Sequence, residues 1–186
     1  MTIEPDRRKV VLGAAGALVA STAVVRAAPV LGDDGNYAQD WYLESFLDLA
    51  DDVRAAADKG KSFAVQWGMR GCPACQRLHQ VYLVKPDVSG FLQEKFDIVH
   101  LDTFGSREVT DIDGDRLGEK ALAAKRGVRT TPTFQFFAVS KAGPVEVARM
   151  PGLLGEPDFL AMFRFVADRG YETSSFNEWL KAQRAG

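Results

Sequence analysis

Two cysteines occur in the 186-residue sequence, and they stand three apart as Cys72-Pro73-Ala74-Cys75. That spacing serves dithiol redox chemistry, zinc binding and c-type haem attachment. Haem needs a histidine at position 76, where Gln76 stands. Zinc would draw on His79, four residues after Cys75, yet the sequence shows neither a fourth ligand nor a second C-x-x-C. Redox chemistry needs no further ligand. A thiolate at a helix N-terminus faces unpaired N–H groups and the positive end of the helix dipole. Both lower its pKa below the free value of about 8.5. A second thiol one turn deeper is then placed to attack a mixed disulfide and release the partner. On this reading Cys72 attacks and Cys75 resolves. A bridge across so small a loop would remove little unfolded-state entropy, so the pair reads as chemistry and not as a staple.

Other residues invite functional readings and lose them. Asp111, Asp113 and Asp115 are spaced like a calcium loop, but Arg116 and Leu122 stand where an EF-hand needs glycine and glutamate. A solvated turn is the reading taken for them. Arg70 and Arg77 flank the cysteines and would favour a thiolate if they approached it. Phe134, Phe136 and Phe137 read as core. A net charge of −2 gives no basic footprint for nucleic acid.

The elements that must hold the cysteines follow from periodicity. Trp41 to Asp58 reads as a helix ended by Gly60, with Leu43, Phe46, Leu47, Leu49, Ala50 and Val53 on its apolar face. Ser62 to Trp67 reads as a buried strand, and a helix opens at Cys72 with Pro73 in its first turn. Cys75, Leu78 and Tyr82 share one face of it, and Lys85-Pro86 stops it. A short helical piece over Phe91 to Lys95 precedes a strand over Phe96 to Asp102. Thr103 to Asp115 is polar and turn-prone, and a helix over Arg116 to Arg126 is ended by Gly127. Strands over Thr133 to Val139 and Val145 to Met150 flank a turn at 141–144. Helices over Pro157 to Val166 and Phe176 to Gln183 close the chain. Strands separated by helices pair in parallel and the late hairpin adds antiparallel strands, so the class is α/β with a mixed sheet flanked by helices.

The first 28 residues stand apart. Arg7-Arg8-Lys9 is followed by an uncharged run from Val10 to Val25 and then by Arg26-Ala27-Ala28. This is the three-part pattern of a secretory signal, with cleavage expected before Ala28 or Pro29. The Arg7-Arg8 pair is also loosely like a twin-arginine signal. An uncleaved membrane anchor is the alternative. The domain is expected over 29–186, after a turn-rich linker at Asp33 to Asn36, and the protein is expected in the periplasm.

Strand–CPAC–helix, with Gly127-Val128-Arg129-Thr130-Thr131-Pro132-Thr133 before the hairpin, resembles the thioredoxin-like family over most of residues 62–167. Arg107 to Asp111, Glu146 to Gly152 and Phe159 to Phe163 are similar to the periplasmic thioredoxins of bacterial sulfur oxidation. The resemblance implies a thioredoxin-like fold in which Pro132 is cis and packs against the cysteine pair. It also implies that the Thr131 backbone pairs with an extended substrate. The partners it implies are disulfide-containing periplasmic proteins, with a membrane thiol-electron transporter as donor. No cofactor or metal is expected, because the Cys72–Cys75 pair is itself the redox centre. The chain departs from the family at Gln66, where a buried aspartate usually stands, and at Gly71, where tryptophan is usual. Glutamine cannot act as a base, so the proton of Cys75 must find another acceptor, water among them.

Three function classes fit these motifs. A reductase or electron carrier is the leading one, a dithiol oxidase or isomerase is the second, and a metal-binding chaperone is the third. Pro73 and Ala74 put no histidine between the cysteines, the residue that oxidases often use to stabilise the thiolate.

Overall fold

A computed structural model describes residues 29–185. The signal segment expected at 1–28 lies outside the described residues. At the centre is a four-stranded sheet made of β3 (Ser62–Gly68), β4 (Phe96–Asp102), β7 (Thr133–Ser140) and β8 (Gly143–Pro151), in the order β4-β3-β7-β8. β3 runs parallel to β4 and antiparallel to β7, which pairs antiparallel with β8. The mixed sheet and flanking helices are those expected of the thioredoxin-like fold. Both strands beside the cysteines carry near-continuous apolar runs, as a strand buried on both faces must.

Alternation along β3 sorts the core into two layers. Ala64 faces a cluster with Leu78, Ile98, Phe134, Phe136, Phe159 and Phe163, while Phe63, Val65 and Trp67 face Leu49, Val53, Leu101 and Leu122. Phe163 meets Phe96, Phe134 and Phe136 edge-on at 5.0–5.2 Å, the geometry that the aromatic quadrupole favours. Helices α3 (Pro86–Lys95) and α5 (Glu156–Ala167), with Leu78, Tyr82 and Leu83 just after α2 (Pro73–Arg77), cover the first layer, and α1 (Leu49–Asp58) and α4 (Glu119–Lys125) the second. A last helix, α6 (Phe176–Ala185), rests on α5 through Trp179 and Phe165, whose rings are 5.7 Å apart.

Five expectations change. The helix expected from Trp41 starts only at Leu49, because Asp48 caps it by accepting a hydrogen bond from Asp51 N at 3.0 Å. Before the cap, Leu47 takes a positive φ of 62° and its carbonyl accepts from Thr110 N, and Phe46 is fully exposed. The expected linker is instead the turn of a hairpin, β1 (Pro29–Leu31) and β2 (Tyr37–Gln39). Within Thr103–Asp115 the chain forms β5 (Glu108–Thr110), paired with β6 (Arg116–Gly118), so α4 begins at Glu119 and not at Arg116. Asp111 is fully buried and not a solvated turn residue: Arg126 grips its carboxylate and Lys125 reaches it at 2.8 Å. Pro86 opens α3, which makes that helix longer than the piece expected at Phe91.

After α2 the chain continues as a π-helical turn, Leu78–Tyr82. His79 lies in this turn, fully buried among Tyr37, Tyr42 and Gln39. Burial pushes its pKa down to about 3. The native state therefore refuses a proton that the unfolded chain accepts below about pH 6.5. This contribution is intact above that pH and is lost as pH falls toward 3, at roughly 1.4 kcal/mol per pH unit. Urea unfolding from about pH 7 to 4 should show a slope one proton shallower for His79→Gln than for the wild type. Equal slopes would show that His79 takes up its proton in the folded state.

Candidate functional site

β3 ends at Gly68, and three residues turn the chain into α2. Gly71 makes that turn with φ of 71°, a left-handed conformation that tryptophan would adopt only with strain. Cys72 is the N-cap: its backbone is extended and its Sγ accepts from Cys75 N at 3.1 Å. The two sulfurs are joined in a disulfide whose Cα atoms are 5.2 Å apart. Cys72 is half-buried, whereas Cys75 is 3% exposed and faces the core.

Across from the disulfide lies the segment before β7. The Thr131–Pro132 bond is cis. Thr131 Oγ1 donates to Cys72 Sγ at 3.3 Å, and the Thr131 carbonyl oxygen lies 3.5 Å from the same sulfur. Pro132 O accepts from Gly152 N at 2.8 Å, and Thr133 Oγ1 donates to Thr130 O at 2.7 Å, so both sides of the bend are held. All four residues expected at the site, Cys72, Cys75, Thr131 and Pro132, thus meet at one edge of the sheet.

The arrangement treats the two sulfurs differently. Once reduced, Cys72 Sγ would accept from a backbone N–H and a hydroxyl, and donors aimed at an anion lower its pKa. Cys75 has neither exposure nor a comparable donor among the described contacts. Arg70 and Arg77 are engaged elsewhere: Arg70 Nε donates to Asp34 O at 2.8 Å, and the Arg77 guanidinium lies 5.9 Å from the Tyr82 ring centre. Gln66 is buried below, donating to Trp67 O at 2.9 Å.

Beside Thr131 runs an open groove of about 340 Å³. Met69, Phe104 and Val128 give it an apolar floor, and Lys120 and Arg129 bring cationic groups to it. Phe104 is 66% exposed, unusual for so large an apolar side chain. In the sequence this groove shows only as the polar, turn-prone stretch that follows Asp102.

A family model of the thioredoxin-like domain matches residues 49–167. Among solved structures, a thioredoxin-fold protein from Helicobacter pylori superposes with a TM-score of 0.55 at 22% identity, covering 66% of this chain and 81% of that one. A thioredoxin from Thermus thermophilus superposes with a TM-score of 0.51 at 26% identity, covering 64% of this chain and 85% of that one. No curated protein matches the sequence. Because the family match spans well over half of the sequence and includes both cysteines and the cis-proline, the chain belongs to the thioredoxin-like family.

Proposed function

We propose that the protein is a thiol–disulfide oxidoreductase that reduces disulfides of exported proteins through Cys72 and Cys75. The observation that carries this reading is Cys72 Sγ, half-buried beside the cis-proline and hydrogen-bonded by Cys75 N and Thr131 Oγ1. In the reduced state the Cys72 thiolate attacks a substrate disulfide. One substrate sulfur leaves as a thiol and the other is held in a mixed disulfide with Cys72. Cys75 then attacks Cys72 Sγ, the second substrate thiol leaves, and the enzyme is oxidised. Two electrons have passed to the substrate. Thr131 presents its backbone to an extended substrate segment, and the groove lined by Phe104 receives the side chains that follow.

The cycle is closed by a membrane thiol-electron transporter that returns the Cys72–Cys75 disulfide to the dithiol. The motifs shared with periplasmic thioredoxins of sulfur oxidation support a place in that process, with residues 1–28 directing export. Mass spectrometry of the native protein should find it beginning at Ala28 or Pro29; a full-length, membrane-embedded species would refute cleavage.

Cys75→Ser should accumulate covalent, dithiothreitol-sensitive adducts with periplasmic proteins, because the mixed disulfide forms and is not resolved. Cys72→Ser should trap few. The opposite pattern would reverse the assigned roles, and full reductase activity in both variants would end the functional reading. Thr131→Val keeps the shape of the side chain and removes its hydroxyl. It should raise the Cys72 pKa by about one unit, the size of one hydrogen bond to a charged group. Thiolate absorbance of the reduced protein against pH would reveal an unchanged pKa if Thr131 has no such role.

A further inference from the structure

On one face of the sheet the buried polar groups are paired. Trp67 Nε1 donates to Gln135 Oε1 at 2.6 Å, and Gln135 Nε2 donates to Glu146 Oε2 at 2.8 Å. The face under α2 departs from this. Gln66 Oε1, His79 Nε2, His100 Nε2, Tyr42 Oη and Gln39 Oε1 are shut off from solvent and have no partner among the described residues. Buried polar atoms are overwhelmingly hydrogen-bonded, so a cluster of unpartnered ones on a single face calls for a reason.

Their placement relative to Cys75 follows from alternation. Ala64 and Ile98 are neighbours in the β3–β4 register and share a core cluster with Leu78. Two residues on, Gln66 and His100 are the next neighbours on that face. One helical turn back from Leu78 is Cys75, buried like Leu78. Both steps lead to the edge where β3 turns into Cys72, so Gln66 and His100 form the floor under Cys75 as Ala64 and Ile98 do under Leu78. Gly68 completes that floor. A Cβ there would stand 2.7 Å from His100 Nε2 and 3.4 Å from Gln66 Nε2, so the missing side chain lets the imidazole turn inward. His100 as a whole is only half-buried, and it also lines a cavity of about 500 Å³ walled by Gln39, Tyr42 and Arg107.

On the oxidoreductase reading above, we propose that His100 is the proton relay of the resolving step, taking the Cys75 thiol proton at Nε2 and passing it toward that cavity. Gln66 cannot accept a proton at this pH. His79 is the wrong donor state: its Nδ1 lies 3.2 Å from Gln39 Nε2, an N–H donor, which leaves the proton on Nε2. His100 has the required free nitrogen, and an imidazole can gain a proton on one nitrogen and lose one from the other. In the step, the Cys75 S–H bond breaks and the Cys72–Cys75 bond forms. The mixed disulfide breaks with its electron pair on the departing substrate sulfur, which takes a proton from solvent, and the Cys75 proton goes to His100.

The surroundings keep this base unprotonated at neutral pH. Burial lowers the His100 pKa, Arg107 lowers it further, and Asp34, Glu119 and Asp102 oppose them. A charge on His100 would lower the pKa of its neighbour His79 further, and Tyr42, whose pKa burial raises, is another titratable group in the wall of that cavity.

Stopped-flow mixing of the reduced protein with one equivalent of dithiobis-nitrobenzoate releases the coloured thiol twice. The first release follows Cys72 attack and depends on reagent concentration; the second follows Cys75 resolution and does not. With a buried base, the second rate should be flat from about pH 7 to 8.5, between the imidazole and thiol pKa values. His100→Gln should slow it by on the order of 100-fold at pH 7 and make it rise about tenfold per pH unit, as free thiolate becomes the limiting species. Gln66→Asp added to His100→Gln should restore a flat profile by supplying a carboxylate on the same floor. Wild-type rate and profile in His100→Gln would overturn the relay. Should that variant fail to fold, a tenfold rise per pH unit in the wild type would overturn it equally. A wild type that gives no first release would overturn the oxidoreductase reading itself, and the relay with it.

Discussion

Everything at the site depends on where β3 sits in the sheet. It pairs with both β4 and β7, parallel to one and antiparallel to the other. Its C-terminal end therefore lies beside the end of β4 and the beginning of β7. Trp67 is in register with Leu101 on one side and Thr133 on the other. The chain leaves β3 into the cysteine turn, leaves β4 into the 103–107 segment and enters β7 through Thr131–Pro132. Three segments remote in sequence are thus delivered to one edge by hydrogen bonding alone. A one-residue slip in either pairing would turn Gln66 and Trp67 to the opposite faces and part Thr131 from Cys72.

Much of this was legible because it is local. The strand over Phe96–Asp102 is bounded as its residues suggest, and the cysteine helix opens where Pro73 and the preceding apolar run place it. The cysteines and the Thr131-Pro132 pair were readable because each motif has a specific local geometry. What was not legible depends on distant partners. The apolar residues from Trp41 to Leu47 have helical spacing, yet Leu47 pairs its carbonyl with Thr110, and a Ser45–Asp52 hydrogen bond of 2.5 Å ties the segment across the cap. Periodicity counts Phe46 as core, but no partner covers it. Asp111 is similar. Its spacing to Asp113 and Asp115 suggests a solvated turn, and only the arrival of Lys125 and Arg126 from the end of α4 makes burial of its carboxylate tolerable.

The additions to the sheet converge on one residue at the end of β4. Asp102 N donates to Glu119 Oε1 at 2.9 Å, its Oδ2 accepts from Asn36 Nδ2 at 2.9 Å, and its Oδ1 accepts from Phe104 N at 2.9 Å. The N-terminal hairpin, the β5–β6 insertion and α4 are therefore tied to the same point. Thr103 N then donates to Gly68 O at 3.0 Å and fixes that point against the end of β3. Glu119 is itself buried, and Arg107 satisfies it through both its backbone N–H and its guanidinium, so the joint is internally balanced.

That joint separates two surfaces with different jobs. On one side of Asp102 the insertion exposes Phe104 to the groove beside Thr131, where a substrate segment would lie. On the other side the hairpin and Tyr42 roof His100 and the cavity it lines. The segment that follows β4 and the N-terminal hairpin thus build, respectively, the surface beside Thr131 and the enclosure around His100. A carboxylate in the Gln66 position would bring its own charge into the core and raise the cost of burying it. A neutral glutamine beside a neutral histidine places proton-accepting capacity under Cys75 without a standing charge, and burial favours that uncharged pair in the resting protein.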